Sequence, residues 1–215
     1  MDKIGASTVV DALAFLRRGI MELILASKSP RRDKLLREAG FSFSVTPSKF
    51  DESIVSLEYP EHAVESLALG KARESYNRLP SITKLTSVVL GADTIVVCDG
   101  KVMLKPEDKD DAKRMLHELS GKVHQVYTGI AFVSARDIYT EVVKTDVEFY
   151  ELSDEEIDEY VNSGEPLDKA GAYGIQGNGC TLVKRIDGDF YSVVGLPLAP
   201  VIKYLKSCGV RQKRS

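Results

Sequence analysis

The sequence of 215 residues contains no tryptophan, three histidines and three cysteines, and each scarcity removes a class of chemistry. Cys98, Cys180 and Cys208 lie far apart and form no CxxC pair, which excludes a zinc ribbon and a thioredoxin-like centre. Their use points to a reducing compartment, and a cytoplasmic location is expected. His62, His117 and His124 build no HExxH motif, and no GxSxG elbow is present. A His-based metal site or a Ser-His-Asp triad therefore has little to work with. The glycines of a Walker A loop are missing, and no apolar run approaches the ~18–20 residues that span a bilayer. Neither sign of charge is in excess: 29 Lys and Arg stand against 32 Asp and Glu, a net charge of −3. Such a balance gives no global reason to bind nucleic acid or anionic lipid, so neither is an expected partner and any basic site is local.

What remains is ordinary globular composition, 43% hydrophobic and 28% charged, in a chain long enough to bury a sizeable core. Residues 1–20 carry a short apolar patch followed by Arg17 and Arg18, with the charges on the wrong side for a secretory signal. They read as an N-terminal extension. Residues 21–208 read as a single α/β domain without linker or repeat, and 209–215 as a basic tail.

Periodicity predicts a short buried strand at Leu23–Ala26 and a helix from Pro30 to Gly40, with Ser29 as N-cap. A second helix is expected over Glu61–Asn77 and a buried strand over Ser87–Val97, turning at Asp99-Gly100 into Val102–Leu104. A third helix at 108–119 precedes strands at Gln125–Val133 and Ile138–Phe149. Ser153 to Glu156 form a capping box. Strands around Thr181–Ile186 and Phe190–Val194 and a helix from Pro197 complete the pattern.

Four segments are candidates for chemistry. Ser27-Lys28-Ser29-Pro30-Arg31-Arg32 joins a strand to a helix N-terminus, where free N–H groups, two hydroxyls and three cations suit an anion. The same segment also reads as a capped helix with solvated arginines. Asp93 interrupts the core-like run Val88–Val97, and an unpartnered buried carboxylate is costly, so it must be paired or coordinate something. Gly91 before it leaves room for close approach. Lys105-Pro106 follows the hairpin and can return near Asp93, whereas Glu52 and Lys71 are unremarkable by themselves. The glycine-dense stretch Gly164–Gly177 includes Gln176, whose amide both donates and accepts, and reads as a binding loop or a turn-rich connector. Hard divalent ions held by carboxylates stay open, which points to Mg²⁺ and phosphate substrates.

Together, Ala26-Ser27-Lys28-Ser29-Pro30-Arg31-Arg32, Gly91-Ala92-Asp93-Thr94, Lys105-Pro106, Leu119-Ser120-Gly121, Gly164-Glu165-Pro166, Asp168-Lys169-Ala170-Gly171 and Val194-Gly195-Leu196-Pro197 resemble the Maf family of nucleoside triphosphate pyrophosphatases. The resemblance runs from about Leu23 to Leu205. It implies a two-lobed α/β fold like that of inosine triphosphatase, with an elongated mixed sheet flanked by helices and a cleft between the lobes. It also implies divalent-metal-dependent (Mg²⁺ or Mn²⁺) cleavage between the α- and β-phosphates, and a homodimer. By the same resemblance Asp93 activates water or binds the ion, Glu52 helps hold the ion, and Lys71 and Lys105 neutralise the triphosphate. Arg31, Thr94 and Gln176 match substrate-recognition positions, beside Ser27 and Arg32 of the first segment. Asp168-Lys169-Ala170-Gly171 through Gln176-Gly177 resembles the branch acting on dTTP and UTP, since an amide suits the O4 and N3–H of a pyrimidine. The alternative is a nucleotide- or nucleic-acid-binding regulator of cell division in which hydrolysis is incidental.

Overall fold

The structure, a computed structural model, describes residues 21–213; the extension expected over 1–20 and the last two residues of the tail lie outside the described residues. Seven strands form one sheet: β1 (Glu22–Leu25), β2 (Phe43–Val45), β3 (Ser87–Cys98), β4 (Lys101–Met103), β5 (Val123–Ser134), β6 (Ile138–Phe149) and β7 (Val183–Asp187). Their order is β2-β1-β3-β5-β6-β7, with β4 attached to β3. β1 runs parallel to β2 and β3, and the other pairs are antiparallel, so the sheet is mixed as expected. Helices α1 (Pro30–Glu38), α2 (Pro60–Asn77), α3 (Ser81–Thr86), α4 (Lys109–Leu119), α5 (Asp154–Asn162), α6 (Phe190–Val194) and α7 (Leu198–Ser207) flank it.

Local chemistry accounts for most boundaries. Ser29 caps α1 through the Arg32 amide, Pro30 occupies its first turn, and Gly40 leaves it at φ +80°. Asp99 and Gly100 both adopt positive φ, which turns β3 tightly into β4. Ser153 and Glu156 form the reciprocal capping box of α5. One expectation fails: Phe190–Val194 is a helix, not a strand. Its β-rich composition is overridden by Asp189, whose carboxylate caps the Ser192 amide, and by Gly195, which closes the helix at φ +117°. At the C-terminus the chain stays docked beyond 208. Val210 is buried and Gln212 bridges to Phe41.

Alternation along β3 and β5 sorts side chains onto two faces. On one face two separate cores form. The first joins Leu25, Leu90, Ile130 and Phe132 to Leu36, Val201 and Leu205. The second joins Val96, Val126 and Phe149 to Leu116, Ile157 and Val161. Between them lie Thr94 and the buried hydroxyls of Thr128, Thr145 and Ser192, a polar waist between two lobes. The opposite face is covered by α2, which packs Ala68 and Ala72 on Val89 and Ala131, and Val64 and Leu67 on Ile95.

Candidate active site

β1 pairs with β3 only as far as Leu90, and β4 begins its pairing at Val96. Gly91–Ile95 therefore has no strand neighbour on that side, and a cleft of about 910 Å³ opens along this gap. Asp93 and Thr94 are consecutive, so they project to opposite faces of β3 at the open edge. The cleft reaches both faces, and each face carries its own polar cluster.

The first cluster depends on how closely α2 lies on the sheet. A Cβ on Gly91 would sit 2.3 Å from the Ala68 carbonyl oxygen, and one on Gly129 would sit 2.5 Å from that of Val64. Only glycine permits that approach. It brings Lys71 over Asp93, where Nζ donates to Oδ1 at 2.7 Å, and the same ammonium pairs with Glu52 Oε1 at 2.9 Å. The Lys71 and Asp93 side chains are 13% and 15% exposed, so this pair is shielded from water, whereas Glu52 is 57% exposed at the rim. Glu52 stands in a 3₁₀ turn, Glu52–Ile54, capped by Asp51. The preceding Phe50 ring fills the space left by Gly70, where a Cβ would lie 2.4 Å from Cζ.

The second cluster is built by the turn that leaves β1. Ser27 Oγ accepts the Ser29 amide at 3.1 Å and Arg32 Nη1 at 3.2 Å. Arg32 also donates Nε to the Gly195 carbonyl at 2.8 Å and Nη2 to Thr94 Oγ1 at 3.3 Å. All three acceptors are neutral. Burial lowers the Arg32 pKa, and the negative charge of Asp93 opposes that shift. Arg31 reaches across the cleft to Asp168, Nη1 to Oδ2 at 2.9 Å, and Lys169 Nζ holds the other oxygen at 2.7 Å. Burial raises the Asp168 pKa, but the hydrogen bonds from Lys169 and Arg31 outweigh it and keep the carboxyl below its ordinary range.

Of the residues expected from sequence, Ser27, Arg31, Arg32, Glu52, Lys71, Asp93, Thr94 and Lys105 all line this one cleft. Gln176 is not among the lining residues and is exposed, just before a 3₁₀ turn at Gly177–Thr181. The same loop instead contributes Asp168, Lys169, Ala170 and Tyr173. Asp168 and Lys169 were visible as a charged pair in a glycine-dense stretch. Val194 and Gly195 belonged to a quoted motif, whereas Phe50 and Val193 carried no signal.

The donors suit a hard divalent cation. Glu52 and Asp93 offer only carboxylate oxygens, and a single ammonium reaches both, so they converge on one cation-sized point. Among the described residues no group of three His, Cys, Asp or Glu surrounds a common point. An ion here would complete its shell with water or ligand oxygens, as Mg²⁺ usually does. No described helix is long and apolar enough to cross a membrane.

A family model described as Maf-like protein matches residues 22–208. The dTTP/UTP pyrophosphatase of Bacillus cereus (strain G9842) is 48% identical over 187 residues, covering 86% of this chain and 94% of the relative. That of Symbiobacterium thermophilum is 48% identical over 190 residues, covering 88% and 95%. Among solved structures, a nucleoside-triphosphatase / dITP/XTP pyrophosphatase from Mycobacterium abscessus aligns at 16% identity over 60% of this chain and 73% of that one. The TM-score of that alignment is 0.38.

Proposed function

This chain belongs to the Maf-like protein family, and from that premise we propose that it hydrolyses dTTP and UTP between the α- and β-phosphates, releasing the nucleoside monophosphate and pyrophosphate. The observation that carries the reading is Lys71, held between Glu52 and Asp93 in a cleft also lined by Lys28, Arg31, Arg32 and Lys105. Relatives of nearly equal length and 48% identity bear the name dTTP/UTP pyrophosphatase, which supports the substrate class.

Hydrolysis of an anhydride is largely a matter of position and charge. Water adds across the α–β anhydride: one P–O bond forms, the bridging P–O bond breaks, and its electron pair leaves with the pyrophosphate. Asp93 takes the proton from that water, since its carboxylate is shielded and stands at the open edge of β3. Lys71 holds Asp93 in place and, with Lys105, offsets the charge that develops on the leaving oxygens. Arg31 and Arg32 bind phosphate or base oxygens from the other side of the strand. Glu52 and Asp93 would hold a divalent cation, Mg²⁺ or Mn²⁺, which supplies Lewis-acid charge to the phosphate oxygens. A homodimer and a cytoplasmic location belong to the same proposal.

A panel of nucleoside triphosphates with Mg²⁺ or Mn²⁺, read for pyrophosphate against orthophosphate, tests it. Pyrophosphate from dTTP and UTP, with little from 7-methyl-GTP or ITP, is expected. Orthophosphate as the sole product, or no turnover of any triphosphate, contradicts it.

A further inference from the structure

Thr128 is not among the residues lining the cleft, yet two of the three supports of Arg32, Thr94 and the Gly195 carbonyl, lead back to it. Ser27 holds the guanidinium independently. The Thr128 hydroxyl donates to the Ser192 carbonyl at 2.7 Å. A hydroxyl has one proton and two acceptor sites, so Thr128 Oγ1 can only accept from its other neighbour, Thr94 Oγ1, at 2.9 Å. Thr94 must therefore donate to Thr128, and its own lone pairs face the Arg32 Nη2–H. The order of protons is fixed along the row: Arg32 to Thr94, Thr94 to Thr128, Thr128 to Ser192. Hydrogen bonds aligned head to tail polarise one another, which makes Thr94 a better acceptor for the guanidinium.

The second support meets the first at Ser192. Its carbonyl also accepts the Gly195 amide at 3.0 Å, closing α6, and the Gly195 carbonyl accepts Arg32 Nε at 2.8 Å. Thr128 thus grips the carbonyl that fixes the loop under Nε and also orients the hydroxyl under Nη2. Thr128 is wholly buried, with its one proton donated and one acceptor site engaged. Among the described residues no carboxylate pairs with Arg32, so its charge stays available to a ligand in the cleft.

We infer that Thr128 is a positioning residue, which through Thr94 and the Ser192 carbonyl holds the Arg32 guanidinium toward an oxygen of the bound nucleotide. The nucleotide's identity rests on the proposed function; the positioning of Arg32 does not. That oxygen belongs either to a phosphate or to the base. Inorganic tripolyphosphate, used as a competitor, separates the two.

The test compares Thr128→Val, which keeps the shape and removes the hydroxyl, with Thr128→Ser, which restores it. In the free protein, exchange of the Arg32 Nε–H with water, followed by NMR, should speed up about tenfold in Thr128→Val and return to the wild-type rate in Thr128→Ser. KM for dTTP or UTP should rise about tenfold in Thr128→Val, with a much smaller change in kcat. Weaker inhibition by tripolyphosphate in the same variant assigns the oxygen to a phosphate; unchanged inhibition with raised KM assigns it to the base. Thr128→Cys, with a weaker donor of similar size, serves if the valine variant does not fold, and should fall between the other two. A folded Thr128→Val with wild-type Nε–H exchange and KM overturns the inference, as does a serine variant as impaired as the valine one. The exchange measurement needs no turnover, so an inactive wild type would sink the pyrophosphatase reading while the positioning of Arg32 is still decided.

Discussion

Lys71 is the least exposed member of a three-residue ion cluster, and its two acid partners are what keep an ammonium there. Removing either partner leaves the other pairing intact, so the cluster tolerates the arrival of an anionic ligand and a cation without stranding a charge. His124 is a different kind of buried group. Its Nε2 lies 2.8 Å from the Tyr173 hydroxyl, its Nδ1 has no partner among the described residues, and its ring meets Phe149 edge-on. Burial pushes its pKa from 6.5 down to about 4, with Asp146 opposing. Between those two values the unfolded chain binds a proton that the folded protein does not. Stability is therefore complete above pH 6.5 and falls as pH drops toward 4. The loss at this residue approaches about 3 kcal/mol at the acid end. Urea unfolding across that range should show the slope, and His124→Gln should flatten it; an unchanged slope in the variant would assign it to other groups. Asp93 was legible in the sequence because a carboxylate inside a run of Val and Ile needs a partner. Lys71 and Glu52 stood out only through the family resemblance and not by their own pattern, since their meeting depends on how α2 and the segment after Phe50 are placed.

The placement of α2 is a property of two glycines on neighbouring strands. Gly91 pairs with Ala131 and Gly129 with Asp93, so the two glycines lie diagonally on one face of the β3–β5 pair, and the α2 backbone fills the space above both. Gly91→Ala would bring a methyl group 2.3 Å from the Ala68 carbonyl and 2.8 Å from the Ala72 amide, which flank Lys71 along the helix. The helix must lift, at a cost of about 1–3 kcal/mol, and Lys71 then moves off Asp93. Thermal unfolding should show the lower midpoint and a pyrophosphate assay the reduced rate; wild-type values for both would mean that the close approach does not matter. Caps and turns made α1, α5 and the β3–β4 hairpin readable from sequence. The five residues of α6 were not, because Phe190, Tyr191, Val193 and Val194 look like strand. Their helix exists through the Asp189 cap and the grip of Thr128 on the Ser192 carbonyl.

At the scale of the molecule, the cleft is a consequence of strand lengths. β3, β5 and β6 are each 12 residues long and run through both lobes, while β1 and β4 cover only the two ends of β3. The gap at Gly91–Ile95 lets one ligand meet Asp93 and Lys71 on one face and Arg32 and Thr94 on the other. Arg31 and Asp168 join the rims across it. Motifs in the sequence pointed to most of the lining, because they fall at strand ends and helix starts. They did not reveal the gap, which depends on where pairing stops, nor that Asp168 and Lys169 line it while Gln176 of the same loop is exposed and outside the lining. The central claim is that this gap is a pyrophosphatase centre whose proton acceptor is Asp93. Its most direct test is pyrophosphate release from dTTP and UTP, with Mg²⁺ or Mn²⁺ present, by the wild type and by Asp93→Asn checked for an intact fold. The wild type should release pyrophosphate and the folded variant should lose at least about 100-fold in kcat; a folded Asp93→Asn that turns over at the wild-type rate would contradict the account.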